Sequence, residues 1–92
     1  MDKTKPKKRW WTLAWLTREG QPHPAHRHDN FSQVYKDERV LLADLSYGMT
    51  HFNPHGAYVA SAWEGQLTEE QAMKSRRPKF YVWENGDAHV LT

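Results

Sequence analysis

The 92-residue chain contains no cysteine. That absence excludes a disulfide framework, a thiolate nucleophile and a cysteine-type zinc site. No apolar run approaches the roughly 18 residues of a membrane-spanning helix, so no membrane partner is expected. Hydrophobic residues are 38% of the chain and the mean hydropathy is −0.95, which leaves little aliphatic material for a core. G-x-S-x-G, H-E-x-x-H and a glycine-rich phosphate loop are all missing, so the usual local marks of hydrolases, zinc peptidases and nucleotide-binding enzymes do not occur. Glu69 and Glu70 are sequence neighbours at a predicted helix start and face different ways, which suits capping charges better than an acid/base pair. No catalytic residue and no cofactor are expected.

Aromatics are abundant instead: five Trp, four Tyr and three Phe. Each buries about 150–250 Å², enough to replace much of the missing aliphatic area. A chain of this length makes one domain and buries about 60–65% of the surface it exposes when unfolded. Positive charge is concentrated at one end. Residues 1–9 hold five of the 13 Lys+Arg and one of the 11 Asp+Glu, leaving that arm at +4 and the remainder at −2. The pI of about 9.0 therefore belongs to a tail and not to a basic globule. With no apolar residue beyond Met1, the arm is expected to be disordered until an anionic surface orders it. Basic residues followed by the apolar stretch 10–16 superficially suit a signal peptide. Thr17, Arg18 and Glu19 follow directly with no small-residue cleavage site, so a cytoplasmic protein is expected.

Residues 10–17 alternate as a strand, with Trp11, Leu13 and Trp15 on one face and Trp10 on the other. A loop runs from Gly20 through Asp29. Phe31, Val34, Tyr35, Leu41, Leu42 and Leu45 then fall within roughly 120° of arc at helical spacing. This predicts a helix capped by Asn30 and ended by Gly48, although Val40 breaks the pattern and a hairpin turning at residues 36–38 is the rival. Asn53, Pro54 and Gly56 suit a type I turn, and residues 57–63 a second strand. Thr68 and Gln71 form a capping box that opens a short helix stopped by Pro78. Residues 80–84 and 87–91 flank Asn85-Gly86, a hairpin signal, with a longer bulged loop as the alternative. The expectation is a small single α+β domain over residues 10–92, in the order β-α-β-α-β-β, with a C-terminal hairpin.

Two constellations carry chemistry. Lys3, Lys5, Lys7, Lys8 and Arg9 can neutralise phosphates, Trp10 offers a face to a nucleobase, and Arg76, Arg77 and Lys79 add a second basic cluster. The bland alternative is a solubility tail beside core tryptophans. Five of the six histidines lie between positions 23 and 55. His26 and His28 point the same way if extended, with Asp29 beside them. A helix of about 16 residues, about 24 Å long, would hold His51 and His55 away from them. No metal is expected on this reading; if one is held, His26, His28, His51 and His55 are the ligands to test.

Gly20-x5-His26-x-His28 resembles the start of the first cupin motif, and Gly48-x5-Pro54-x-Gly56 the start of the second. The resemblance implies a metal-binding barrel with strands through residues 31–45. The pattern departs where Ser32 or Gln33 replaces the acidic ligand and Val59 replaces the second motif's histidine. The expected function is therefore a small non-enzymatic binding protein docking on a nucleic acid or nucleoprotein complex, with a homodimer allowed. The alternative is a protein–protein accessory or inhibitor module of phage or mobile-element type, suited by its negative body to a basic protein surface.

Overall fold

The alternating stretch after the arm forms β1 (Arg9–Leu16), a strand with neighbours on both sides. The structure is a computed structural model that describes residues 9–51, 53, 56–75, 77–83 and 88–90. Four antiparallel strands, β2 (Ser32–Lys36), β1, β3 (Val59–Glu64) and β4 (Phe80–Trp83), lie in that spatial order, and the short edge strand β5 (Ala88–Val90) extends the sheet beyond β4. One α-helix, α1 (Glu38–His51), packs across one face. The α+β class agrees with the sequence.

The element order does not. The predicted helix from Asn30 is split in two: Ser32–Lys36 is a strand paired with β1, from Leu13↔Ser32 to Arg9↔Lys36. Phe31 enters it at φ 62°, a left-handed backbone that no helix interior accommodates. Its amide donates to the Leu13 carbonyl at 2.5 Å. The chain breaks at Asp37, as the rival hairpin reading required, but it turns into a helix and not a return strand. Asp37 is the cap: its Oδ1 accepts from the Val40 amide at 3.0 Å. Asn30, expected to cap, instead accepts from the Trp15 amide at 2.7 Å and donates to the His23 carbonyl. Val40 broke the periodic pattern because it lies on the outer face of α1, 46% exposed.

Leu41, Leu45 and Met49 form the buried stripe of α1 at spacing four. They pack on Trp11, Ala60, Ala62 and Val82, with Leu13, Trp15 and Val34 at the margin. Each buried side chain of this size contributes about 1.5–3 kcal/mol. Gly48 does not end the helix. A Cβ there would lie 3.4 Å from Cη2 of Trp15, so glycine lets the helix approach the indole closely.

The opposite face is covered by the segment after β3. Ala14, Leu16, Val59 and Trp63 pack there with Leu67 and Ala72. Thr12, fully buried, holds that segment down: its Oγ1 donates to the Gly65 carbonyl at 2.7 Å and accepts from the Leu67 amide at 2.9 Å. The capping box forms reciprocally, Gln71 N to Thr68 Oγ1 at 3.2 Å and Thr68 N to Gln71 Oε1 at 3.0 Å. The helical turn it opens widens to π geometry over Gln71–Ser75 and stops before Pro78. Asn53 accepts from the Ala57 amide and donates to the Ala57 carbonyl; Pro54 and His55, the central residues of the expected turn, lie outside the described residues. Asn85-Gly86 lies outside the described residues. The pairing Val82↔Ala88 nevertheless differs by one residue from a two-residue turn there, which would set Val82 opposite His89.

Candidate nucleic-acid interface

The strand register gathers several predicted residues at one end of the sheet. Arg9 and Trp10 begin β1, Tyr35 and Lys36 end β2 opposite them, and Lys79 leads into β4 two strand spacings, about 10 Å, from β1. Arg9, counted with the arm in sequence, is the first residue of β1. Lys3, Lys5, Lys7, Lys8 and Arg76 lie outside the described residues.

Trp10 is 45% exposed and sits against Tyr35, itself 54% exposed, with ring centroids 5.4 Å apart and planes tilted by 51°. Cross-strand pairing of two aromatics at a sheet end contributes about 0.5–1 kcal/mol and leaves their outer faces open. Sequence reasoning missed Tyr35, because the helical wheel placed it in the core arc. The signal was its parity with Gln33, which pairs with Thr12 two residues along the same strands.

The cations here are unequal. Arg9 Nη1 lies 2.6 Å from Glu64 Oε1 across β1 and β3, with both side chains 44% exposed. Lys36 is paired with Asp44 of α1. Exposed pairs of this kind contribute about 0–1 kcal/mol, so a phosphate can compete for either cation. Among the described residues Arg77 and Lys79 form no ion pair; Arg77 is exposed and the Lys79 amide donates to the Ala62 carbonyl at 2.6 Å.

The predicted single helix between the two histidine groups does not form; β2 and α1 take its place, and Gly48 of α1 comes up to Trp15, on which His26 is stacked. His26, Asp29, Gly48 and Asn53 line one cleft of about 360 Å³ there. His26 is buried, stacked on Trp15 at 5.3 Å, with Nδ1 3.7 Å from Asp29. His28 is exposed, and His51 stacks on Tyr47 at 4.3 Å. His55 lies outside the described residues. Among the described residues no three His, Asp or Glu side chains are grouped to hold a metal. Residues 31–45, where the cupin resemblance requires strands, instead form β2 and most of α1, and the sheet is open.

No helix among the described residues is long and apolar enough to cross a membrane. Comparison with protein-family models, curated proteins and solved structures finds no match to this chain.

Proposed function

We propose that this chain is a small non-enzymatic binding protein that docks on single-stranded nucleic acid, free or within a nucleoprotein complex. The carrying observation is the exposed Trp10–Tyr35 ring pair immediately after a tail of four lysines and Arg9. Bases stack on such faces whatever their sequence, and the cations follow the phosphates. Lys79 supplies further positive charge at the same sheet end, and Arg77 precedes it by two residues. A duplex-reading role has less support: α1 carries Arg39 against Glu38 and Asp44, so it offers no basic stripe to a major groove.

Titration of a labelled oligothymidylate or oligouridylate at several salt concentrations tests the reading. Five phosphate contacts give a slope of log K against log salt of about −3.5 on a single strand. Deleting residues 2–8 is expected to remove most of that slope, and Trp10→Ala to cost about 1–3 kcal/mol of affinity. Unchanged binding in both variants overturns the proposal.

One observation favours a second reading, a protein–protein module. Val40 and Tyr47 are one heptad apart on α1 and both exposed, with the His51 ring stacked on Tyr47. Aromatic surface of this kind anchors protein partners. Recovery of the same partner from nuclease-treated lysate, lost on Tyr47→Ala, decides for that reading.

A further inference from the structure

The sheet face opposite α1 carries a cleft that the basic sheet end does not use. Its volume is about 450 Å³, within the range of small-molecule sites. The register makes it. On that face Ser61 lies between Ala14 of β1 and Tyr81 of β4, and this small residue lines the cleft together with Trp63, Tyr81 and Trp83. Tyr81 and Trp83 stand nearly parallel, 23° apart in plane with centroids at 5.9 Å, and Tyr58 meets Trp83 edge-on at 5.5 Å. Met73 and Pro78 close the far side.

Ser61 and Arg18 are the polar side chains of this lining that bear on what it binds. Ser61 has no exposed surface, lines the cleft, and its Oγ has no hydrogen-bond partner among the described residues. A buried hydroxyl is ordinarily satisfied, so an unpaired one in a cleft wall is suited to a partner that arrives with a ligand. At the mouth, the Arg18 guanidinium lies 4.4 Å from the centroid of the Tyr58 ring. Arg18 forms no ion pair among the described residues, so its charge is free to meet an anion while the ring holds it in place. A purely apolar ligand would leave Ser61 unpaired, and a cation would meet Arg18.

We propose that this cleft binds a small planar aromatic anion: the ring lies against Tyr81 and Trp83, the side chains covering Ser61 shift so that a polar atom on the ligand reaches its Oγ, and the carboxylate or phosphate meets Arg18. The site is independent of nucleic-acid docking at the sheet end.

The test titrates the full chain with indole-3-acetate and phenyl phosphate, and with neutral indole-3-acetamide as the control, following backbone amide shifts by NMR. At least one anion is expected to bind with Kd below about 1 mM, its largest shifts falling on Tyr58, Ser61, Tyr81 and Trp83. The neutral control is expected to bind about tenfold more weakly. Arg18→Gln should bring the anion to the level of that control. Ser61→Ala separates ligand recognition from structure: with no internal partner lost, the free protein should melt as high as the parent or higher, while the anion binds about fivefold more weakly. Absence of shifts in the cleft at about 5 mM of either anion overturns the proposal, since a Kd of about 1 mM would leave the site about four-fifths occupied there. So does Ser61→Ala that lowers the melting temperature and leaves affinity unchanged, since the hydroxyl would then be a structural group.

Discussion

Thr12→Val is the substitution that most directly probes how the second layer of this fold is fastened. The two side chains have nearly the same shape, so packing is conserved and only the hydroxyl is removed. That hydroxyl accepts from the buried Leu67 amide and donates to the partly buried Gly65 carbonyl. Leaving the amide unsatisfied costs about 1–3 kcal/mol, and the carbonyl, which can turn towards water, about 0.5–1 kcal/mol. The added methyl recovers at most about 1 kcal/mol by apolar transfer. The net expected loss is about 1–3 kcal/mol, or roughly 5–20 °C in melting temperature for a domain of this size. Thr12→Ser is the control. It keeps both hydrogen bonds and loses one methyl, at about 1 kcal/mol. Urea denaturation followed by tryptophan fluorescence should rank the parent above serine and serine above valine, with similar slopes. A valine variant as stable as the parent would refute the reasoning, because the Gly65–Leu67 segment would then be held by Leu67 packing alone.

Gly48→Ala should stabilise by up to about 1 kcal/mol through helix propensity, since the new Cβ meets Trp15 at ordinary contact distance, whereas Gly48→Val should destabilise by overpacking that indole; thermal melts read both. Asp37→Ala should cost about 0.5–2 kcal/mol by removing the cap on Val40, and Asp37→Asn should restore most of it in the same denaturation assay. Glu64→Gln should change stability by less than about 0.5 kcal/mol yet strengthen binding to a single strand about two- to fivefold at low salt, because Arg9 is released from its carboxylate; equal affinity in a fluorescence titration would remove Arg9 from the interface.

Features written in local chemistry were legible in the sequence. The alternation of Trp11, Leu13 and Trp15 and the Thr68–Gln71 box each depend on residues within a few positions of one another. The split of residues 31–51 was not legible for a definite reason. Val34 and Tyr35 happen to fall on the helical arc of Leu41 and Leu45, and only pairing with β1, more than twenty positions away, assigns them to a strand. Trp10 could be singled out because Arg9 precedes it. Tyr35 became its partner through that same long-range pairing. The Ser61 cleft had no sequence signal at all. A serine inside an apolar strand marks a cavity only once the side chains on both neighbouring strands are known.

The interior position of β1 also dictates how the protein must come off the ribosome. Trp10, Trp11 and Trp15 are made before either strand that pairs with theirs, and β2 can cover only one edge of their strand. The other edge waits for β3, and Thr12 waits for Leu67, 55 residues later. At about 5–20 residues per second, that delay is roughly 3–11 s of synthesis with an unpaired, tryptophan-rich strand open to the cell. Folding is therefore set to be nearly complete or not begun: a chain interrupted before β3 has no sheltered half to retain, and its exposed strand marks it for chaperones or proteolysis.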